Sequence, residues 1–190
     1  MPKTDPTKSA DIFQLKVTIR DVRPPIWRRL QLHADIRLDK LHAVLQTAFD
    51  WTDSHLHQFI SGNAYYGVPD PEFDDLETRN EKRFRLNQLI ARPKDKLVYE
   101  YDFGDSWHHE IMLEKILTAE PGVRYPICIT GKRAAPPEDC GGAWGYESLL
   151  RILQDPEHEE HESMLTWLGG PIVPEAFNAA DINKALRRIR

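Results

Sequence analysis

The residues best equipped for chemistry lie in three short stretches far apart in the chain. These are His55-Leu56-His57, then Asp102-Phe103-Gly104-Asp105-Ser106-Trp107-His108-His109, then Pro136-Pro137-Glu138-Asp139-Cys140. On a strand, His55 and His57 would point the same way about 6.5 to 7 Å apart, close enough for two imidazoles to converge on one ion. A third ligand must come from another segment, and His109, Asp105, Glu138, Asp139 and Cys140 are the candidates. Imidazole mixed with carboxylate or thiolate is the ligand set of an open, catalytic site for zinc or a similar divalent ion. In that reading His55, His57, His109 and Asp105 hold the metal, and Glu138 or Asp139 serves as ligand or base. The plainer alternative is that the same imidazoles pack on aromatic rings and bond to carbonyls or carboxylates.

Other short patterns fit known chemistries less well. His158 and His161 share a helix face, but the spacing is not that of a HExxH metalloprotease. Asp155-Pro156 followed by glutamates reads as a helix start whose acidic first turn complements the dipole. Asp102-Phe103-Gly104 copies a kinase triplet without a glycine-rich loop or HRD segment before it. Gly131-Lys132 lacks the glycine spacing of a phosphate-cradling loop. No GxSxG occurs, and Cys140 as a nucleophile rests only on the histidines available to activate it.

The chain that must position these groups has 190 residues, 41% of them hydrophobic and 29% charged, with 7 Phe, 6 Tyr and 5 Trp. That composition suits one globular domain, residues 12–190, behind a disordered polar tail, residues 1–11. The net charge of −5 excludes a broad basic footprint for duplex DNA. A local basic patch remains available, because residues 1–50 carry 9 basic against 6 acidic side chains. No run approaches a membrane span, and no apolar leader follows Met1. Two cysteines, Cys128 and Cys140, cannot build a disulfide framework, so a cytoplasmic protein with reduced thiols is expected.

Phe13, Leu15, Val17 and Ile19 alternate as in a half-buried strand, and after Pro24-Pro25 residues 26–32 make a second. Leu41, Val44, Leu45, Ala48 and Phe49 form a helical stripe with Asp39 placed as its cap, and His42 reads as a residue at the stripe's edge. Residues 55–60 suit a third strand. The acidic stretch Asp70-Pro71-Glu72-Phe73-Asp74-Asp75 reads as a solvated loop. A second hairpin runs over 97–116, turning at Gly104-Asp105-Ser106. After a Pro/Gly-rich segment at 134–142, helices are expected over 146–154, 156–168 and 179–189. The fold class is therefore α+β: an antiparallel or mixed sheet from two hairpins plus a strand, packed by one helix from the N-terminal half, with a C-terminal helical segment over 146–190.

A three-residue loop in the second hairpin would set Tyr101 against His109 and Tyr99 against Ile111, all on the apolar face. It would also place Glu100 opposite Glu110, a repulsion of roughly 1 to 3 kcal/mol that a bound cation, a Lys or Arg, or His108 could relieve.

Four motifs occur together in order: Ile26-Trp27-Arg28-Arg29, the run from Trp51 to Phe59, the run from Tyr101 to His109, and Pro136-Pro137-Glu138-Asp139-Cys140-Gly141-Gly142 with Gly145-Tyr146. Together they resemble the plasmid pRiA4b third-open-reading-frame-like family, some members of which carry a transposon-passenger, resolvase-type label. The resemblance runs from Ile12 to Leu186. It implies an α+β domain of bacterial or archaeal origin, often borne on plasmids or mobile elements, with no established activity. Its motifs fall on His55, His57, Asp102, Asp105, Trp107, His109, Glu138 and Asp139, which favours those residues over a site at Glu100, His108 and Glu110. The resolvase label finds no physical backing here, since no activated serine with surrounding arginines is evident.

Three functions are compatible with this reading. The first is a binding or accessory protein of mobile-element origin, with Asp102, Trp107, Glu138, Asp139, Cys140 and Tyr146 framing a pocket for a protein or small-molecule partner. The second is a divalent-metal-dependent hydrolase using His55, His57, His109 and Asp139 or Glu138. The third is a nucleic-acid accessory factor using Arg28 and Arg29 with Arg20, Arg23 and the C-terminal Lys184, Arg187, Arg188 and Arg190.

Overall fold

Alternating apolar residues pair into strands β1 (Asp11–Ile19) and β2 (Trp27–His33), which lead into helix α1 (Leu38–Phe49). The computed structural model describes residues 11–70 and 77–189 of the chain. Strands β3 (His57–Ser61), β4 (Ala64–Gly67) and β5 (Arg79–Asn80) follow, then the short helix α2 (Leu86–Leu89). The long hairpin is β6 (Lys96–Tyr101) with β7 (Trp107–Thr118), and β8 (Ile127–Lys132) completes the strands. Helices α3 (Gly142–Gln154), α4 (His161–Leu168) and α5 (Ala179–Leu186) close the described chain. All eight strands form one sheet in the order β5-β4-β3-β6-β7-β1-β2-β8. Every neighbouring pair is antiparallel except β4 with β5. The expected α+β class is therefore the observed one.

One sheet face is apolar and the other polar, as period-2 patterning requires. Leu15, Val17, Leu30, Phe59, Tyr99, Tyr101 and Ile111 are fully buried. Helix α1 lies over this face with Leu38, Leu41, Val44, Leu45, Ala48 and Phe49 at most 1% exposed. Each large side chain in that stripe contributes about 1.5 to 3 kcal/mol by leaving water, so α1 is the main clamp on the sheet. The opposite face carries ion pairs instead, among them Arg29 with Glu114 at 2.6 Å and Lys96 with Glu110 at 2.9 Å. At the β8 edge, Asn183 of α5 donates from Nδ2 to the Cys128 carbonyl at 2.9 Å and accepts the Cys128 N–H at 2.7 Å, completing β8 as a neighbouring strand would.

Several boundaries differ from expectation for identifiable reasons. Asp11 is the first residue of β1, and residues 1–10, the rest of the expected disordered tail, lie outside the described part. The acidic stretch beyond Asp70 also lies outside it. Asp39 is not the α1 cap. It sits in the first turn, clamped by the Arg37 guanidinium at 2.8 and 2.9 Å, while the Leu38 N–H is taken by the Phe84 carbonyl. Pro156 does not start a helix, because the Asp155 side chain captures the Glu157 N–H in a turn and α4 begins only at His161. The second hairpin departs most from expectation. Its loop has five residues, Asp102 to Ser106, so Tyr99 pairs with His109, Tyr101 with Trp107, and Glu100 with His108. The Asp102 carboxylate takes the Gly104 and Asp105 N–H groups at 3.0 and 3.3 Å, which stabilises the longer turn. The expected Glu100–Glu110 repulsion therefore does not arise. His108 lies 3.6 Å from Glu100, and Val98 faces Glu110.

Candidate functional site

Between α1 and β3 the chain crosses from the helix to the sheet in seven residues, 50–56, and nearly every one is tied to another motif. The left-handed Asp50 ends α1 and passes its N–H to the Gln46 and Thr47 carbonyls. The Trp51 indole, 8% exposed, donates to the Pro136 carbonyl at 2.9 Å. The Thr52 N–H and hydroxyl both reach Glu138 Oε2, at 3.1 and 2.6 Å. The Ser54 N–H donates to the Tyr101 hydroxyl at 3.0 Å, and that hydroxyl donates to the other Glu138 oxygen at 2.5 Å. Burial, and then the bond to Glu138, push the Tyr101 hydroxyl well above the usual phenol range, so it stays a donor.

His55 stands at the centre of this junction. Its Nε2 is 3.1 Å from Asp139 Oδ1 and 3.6 Å from Asp102 Oδ2. Tyr101 packs edge-on against the same ring, with centroids 5.7 Å apart. Asp102 and Asp139 both adopt left-handed backbone, φ 58° and 59°, a conformation aspartate tolerates better than most residues. The Asp105 carboxylate, on the same hairpin tip, accepts the Gly141 N–H at 3.0 Å. Next to it Gly142 is obligatory, because a Cβ there would lie 2.4 Å from the Asp105 carbonyl oxygen. The hairpin tip and the start of α3 are thereby locked together.

His57 belongs to a different group. Its ring stacks flat on His42, centroids 3.5 Å apart and planes 6° from parallel. His57 bonds to Glu81 at 2.9 Å, while His42 bonds to Asp53 at 2.7 Å and to the Tyr99 hydroxyl at 2.8 Å. Gln46 completes the network by donating to the Tyr99 hydroxyl and accepting the Asp53 N–H, both at 2.9 Å. Burial first, then the neighbouring His57, lower the His42 pKa. His42 is thus a buried network member rather than a residue at a boundary. An i, i+4 pair of polar residues, His42 and Gln46, within an apolar stripe was the available signal. Asp53 comes from an irregular segment and Glu81 from a single 3-10 turn, Glu81–Arg83, and neither carries one.

The structure separates the three histidines expected to meet. His55 precedes β3 rather than lying in it, so it does not share a strand face with His57. His109 is fully buried beneath α1 among Phe49, Trp51 and Tyr99, with Nδ1 on the Trp107 carbonyl at 3.0 Å. Burial pushes its pKa down to about 3. The structure does not bring it together with His55: it lies on the apolar sheet face beneath α1, where a loop of three residues or of five would equally leave it. Asp105 is committed to Gly141, away from the His55 trio. Burial raises the Cys140 thiol to about 12, with Asp105 and Asp139 adding to the shift, which removes the thiolate a nucleophile needs. Trp107 and Tyr146 are both 1% exposed and belong to the core.

The two arginines proposed for nucleic acid are also engaged. Arg28 is 3% exposed, lies between the rings of Phe49 and Phe177, and donates to the carbonyls of Ala48, Trp27 and Lys132. Arg29 holds Glu114 through two bonds, at 2.6 and 2.9 Å. Both guanidiniums therefore have partners within the protein.

Beside the junction opens a cleft of about 660 Å³, walled by α1 and Trp51, by Pro136 to Glu138, and by α5 with Phe177. Glu138 and Trp51 face this cleft while their neighbours Asp139 and the loop to His55 form the junction. No helix among the described residues is long and apolar enough to cross a membrane.

An eight-stranded, almost wholly antiparallel sheet clamped by one helix, with the loops of three of the four motifs stapled together, defines the class: an α+β domain with a polar junction and an adjoining cleft. The chain belongs to the plasmid pRiA4b ORF-3-like protein family, whose profile matches residues 11–181. It is 37% identical over 178 residues to the uncharacterized protein y4hQ of Sinorhizobium fredii (strain NBRC 101917 / NGR234), covering 93% of this chain and 91% of that one. It is similar in structure to a protein of unknown function, MM3350, from Methanosarcina mazei Go1, with a TM-score of 0.83 and 40% identity, covering 91% of this chain and 98% of that one. Neither relative's description carries the resolvase label.

Proposed function

We propose that this is a binding or accessory protein whose recognition site is the cleft between α1, the Pro136–Glu138 segment and α5, and that it takes a small ligand with an apolar body and a positively charged group. The observation that supports this is the charge of the lining. Asp50, Glu138 and Asp181 contribute carboxylates, and the one lining cation among the described residues, Arg28, turns its Nε and Nη1 donors to backbone carbonyls. Trp51, Phe177 and the two prolines supply apolar surface beside those carboxylates. Glu138 accepts three bonds within the protein and so shapes the wall, while the exposed Asp50 and Asp181, the latter also accepting the Asn178 amide at 2.6 Å, serve as the attracting groups. A plasmid or mobile-element setting accords with the family's name.

The Trp51 indole N–H, bonded to the Pro136 carbonyl in the wall, is a built-in reporter. Phenethylamine and agmatine titrated in EDTA-containing buffer are expected to shift its NMR resonance saturably, and phenylacetate at the same concentration is not. The Asp50→Asn/Asp181→Asn double variant should weaken the amine response at least fivefold. Equal shifts with amine and carboxylate, or none with either amine, would overturn the proposal.

A further inference from the structure

We infer that His55 Nε2, Asp102 Oδ2 and Asp139 Oδ1 form a binding site for one first-row divalent cation of the zinc type. The inference goes beyond the cleft and does not depend on it.

Donor geometry carries the argument. His55 Nε2 is a buried atom that makes no aligned hydrogen bond, although Asp139 Oδ1 is only 3.1 Å away and Asp102 Oδ2 only 3.6 Å. A proton shared between imidazole and carboxylate would demand alignment, as in the His57–Glu81 bond at 2.9 Å. Ligand atoms around one ion obey a different rule. With metal–ligand bonds of about 2.0 to 2.2 Å, donors in tetrahedral or octahedral sites stand roughly 2.8 to 3.6 Å apart, their lone pairs aimed at a common centre instead of at each other. The three donor atoms lie within 4.8 Å of one another.

Asp102 supplies the second, independent observation. The residue is 8% exposed, and its hydrogen bonds from Gly104 and Asp105 fall on Oδ1, leaving Oδ2 directed at His55. A carboxylate this deep calls for a counter-charge. A dication facing two carboxylates and a neutral imidazole gives a neutral site, and three protein ligands leave a coordination position for an outside group. Asp139, with a side chain 69% exposed, lies on the solvent side and sets the direction of entry.

The other cluster with three candidate ligands, His42, Asp53 and His57, fails the same test. Two rings stacked at 3.5 Å and 6° hold their lone pairs side by side, so a single ion would sit well out of both ring planes. Each Nε2 is already aligned on its own carboxylate.

The test uses the full chain purified without a histidine tag and stripped with EDTA. Calorimetry with Zn²⁺ should give one equivalent bound with Kd below about 10 µM. His55→Gln and Asp139→Asn, the latter at a surface carboxylate and expected to keep the parent circular-dichroism spectrum, should each weaken binding tenfold or more. His158→Gln should bind as the parent does. On the parent protein, Zn²⁺ should move the imidazole nitrogen signals of His55 and leave those of His42 and His57 in place. Absence of stoichiometric Zn²⁺ binding, binding indifferent to both variants, or ion-induced shifts centred on His42 and His57 would each overturn the assignment.

Discussion

The two clusters draw their histidines from one stretch of chain, residues 42–57, yet differ in kind. Around His42 and His57 every imidazole meets a partner in line, the rings stack, and Glu81 is 3% exposed. Around His55 the donors crowd without aligning, and one of the three ligating residues faces solvent. A closed network of this sort fixes a core, whereas a crowded, misaligned one at a surface is built to receive something. The lesson is that the separation of a histidine from its acid says less than the direction of the contact.

The sharpest way to break the contrast is to cut the closed cluster. Glu81→Ala removes the partner of His57 and opens a buried gap, so urea denaturation should show a loss of about 3 kcal/mol. A loss below about 1 kcal/mol would mean the network holds nothing together.

Acid provides the next largest effect. His109 titrates near 3 in the folded protein against about 6.5 unfolded, and burial lowers His42 as well. Because burial depresses these folded pKa values, the unfolded chain takes up protons first and stability falls as pH drops below about 6.5. His109 alone should remove about 2 kcal/mol between pH 6 and pH 4.5. Denaturation curves at the two pH values should show that decrement shrinking in His109→Phe, and an unchanged decrement would assign the acid sensitivity elsewhere.

The smallest effect belongs to the open cluster. Without metal, Asp139→Asn should change stability by less than about 0.5 kcal/mol, since the exposed carboxylate makes no aligned bond to His55. A thermal melt suffices to check it, and a large destabilisation would place Asp139 in the framework instead.

Periodicity made the sheet and α1 legible, because alternation and the i, i+3, i+4 stripe follow directly from which face loses water. It also placed His109 correctly on the apolar face while misplacing its partner, since a loop of three residues and one of five bury the same face. The site was legible only as a set of motifs. Which of their side chains meet depends on left-handed turns at Asp102 and Asp139 and on the staples through Thr52, Tyr101 and Gly142, none of which has a periodic signature. Strands β4, β5 and β8 carry no legible alternation of their own, because pairing with a neighbour defines them.

The amide of Asn183 has a consequence for the molecule in a crowded setting. By occupying the Cys128 N–H and carbonyl, it leaves β8 without its template for an incoming chain at that point, and at the far end β5 offers only two residues. Accretion of further copies is thereby hindered at Cys128 on one flank and, among the described residues, starved by brevity on the other.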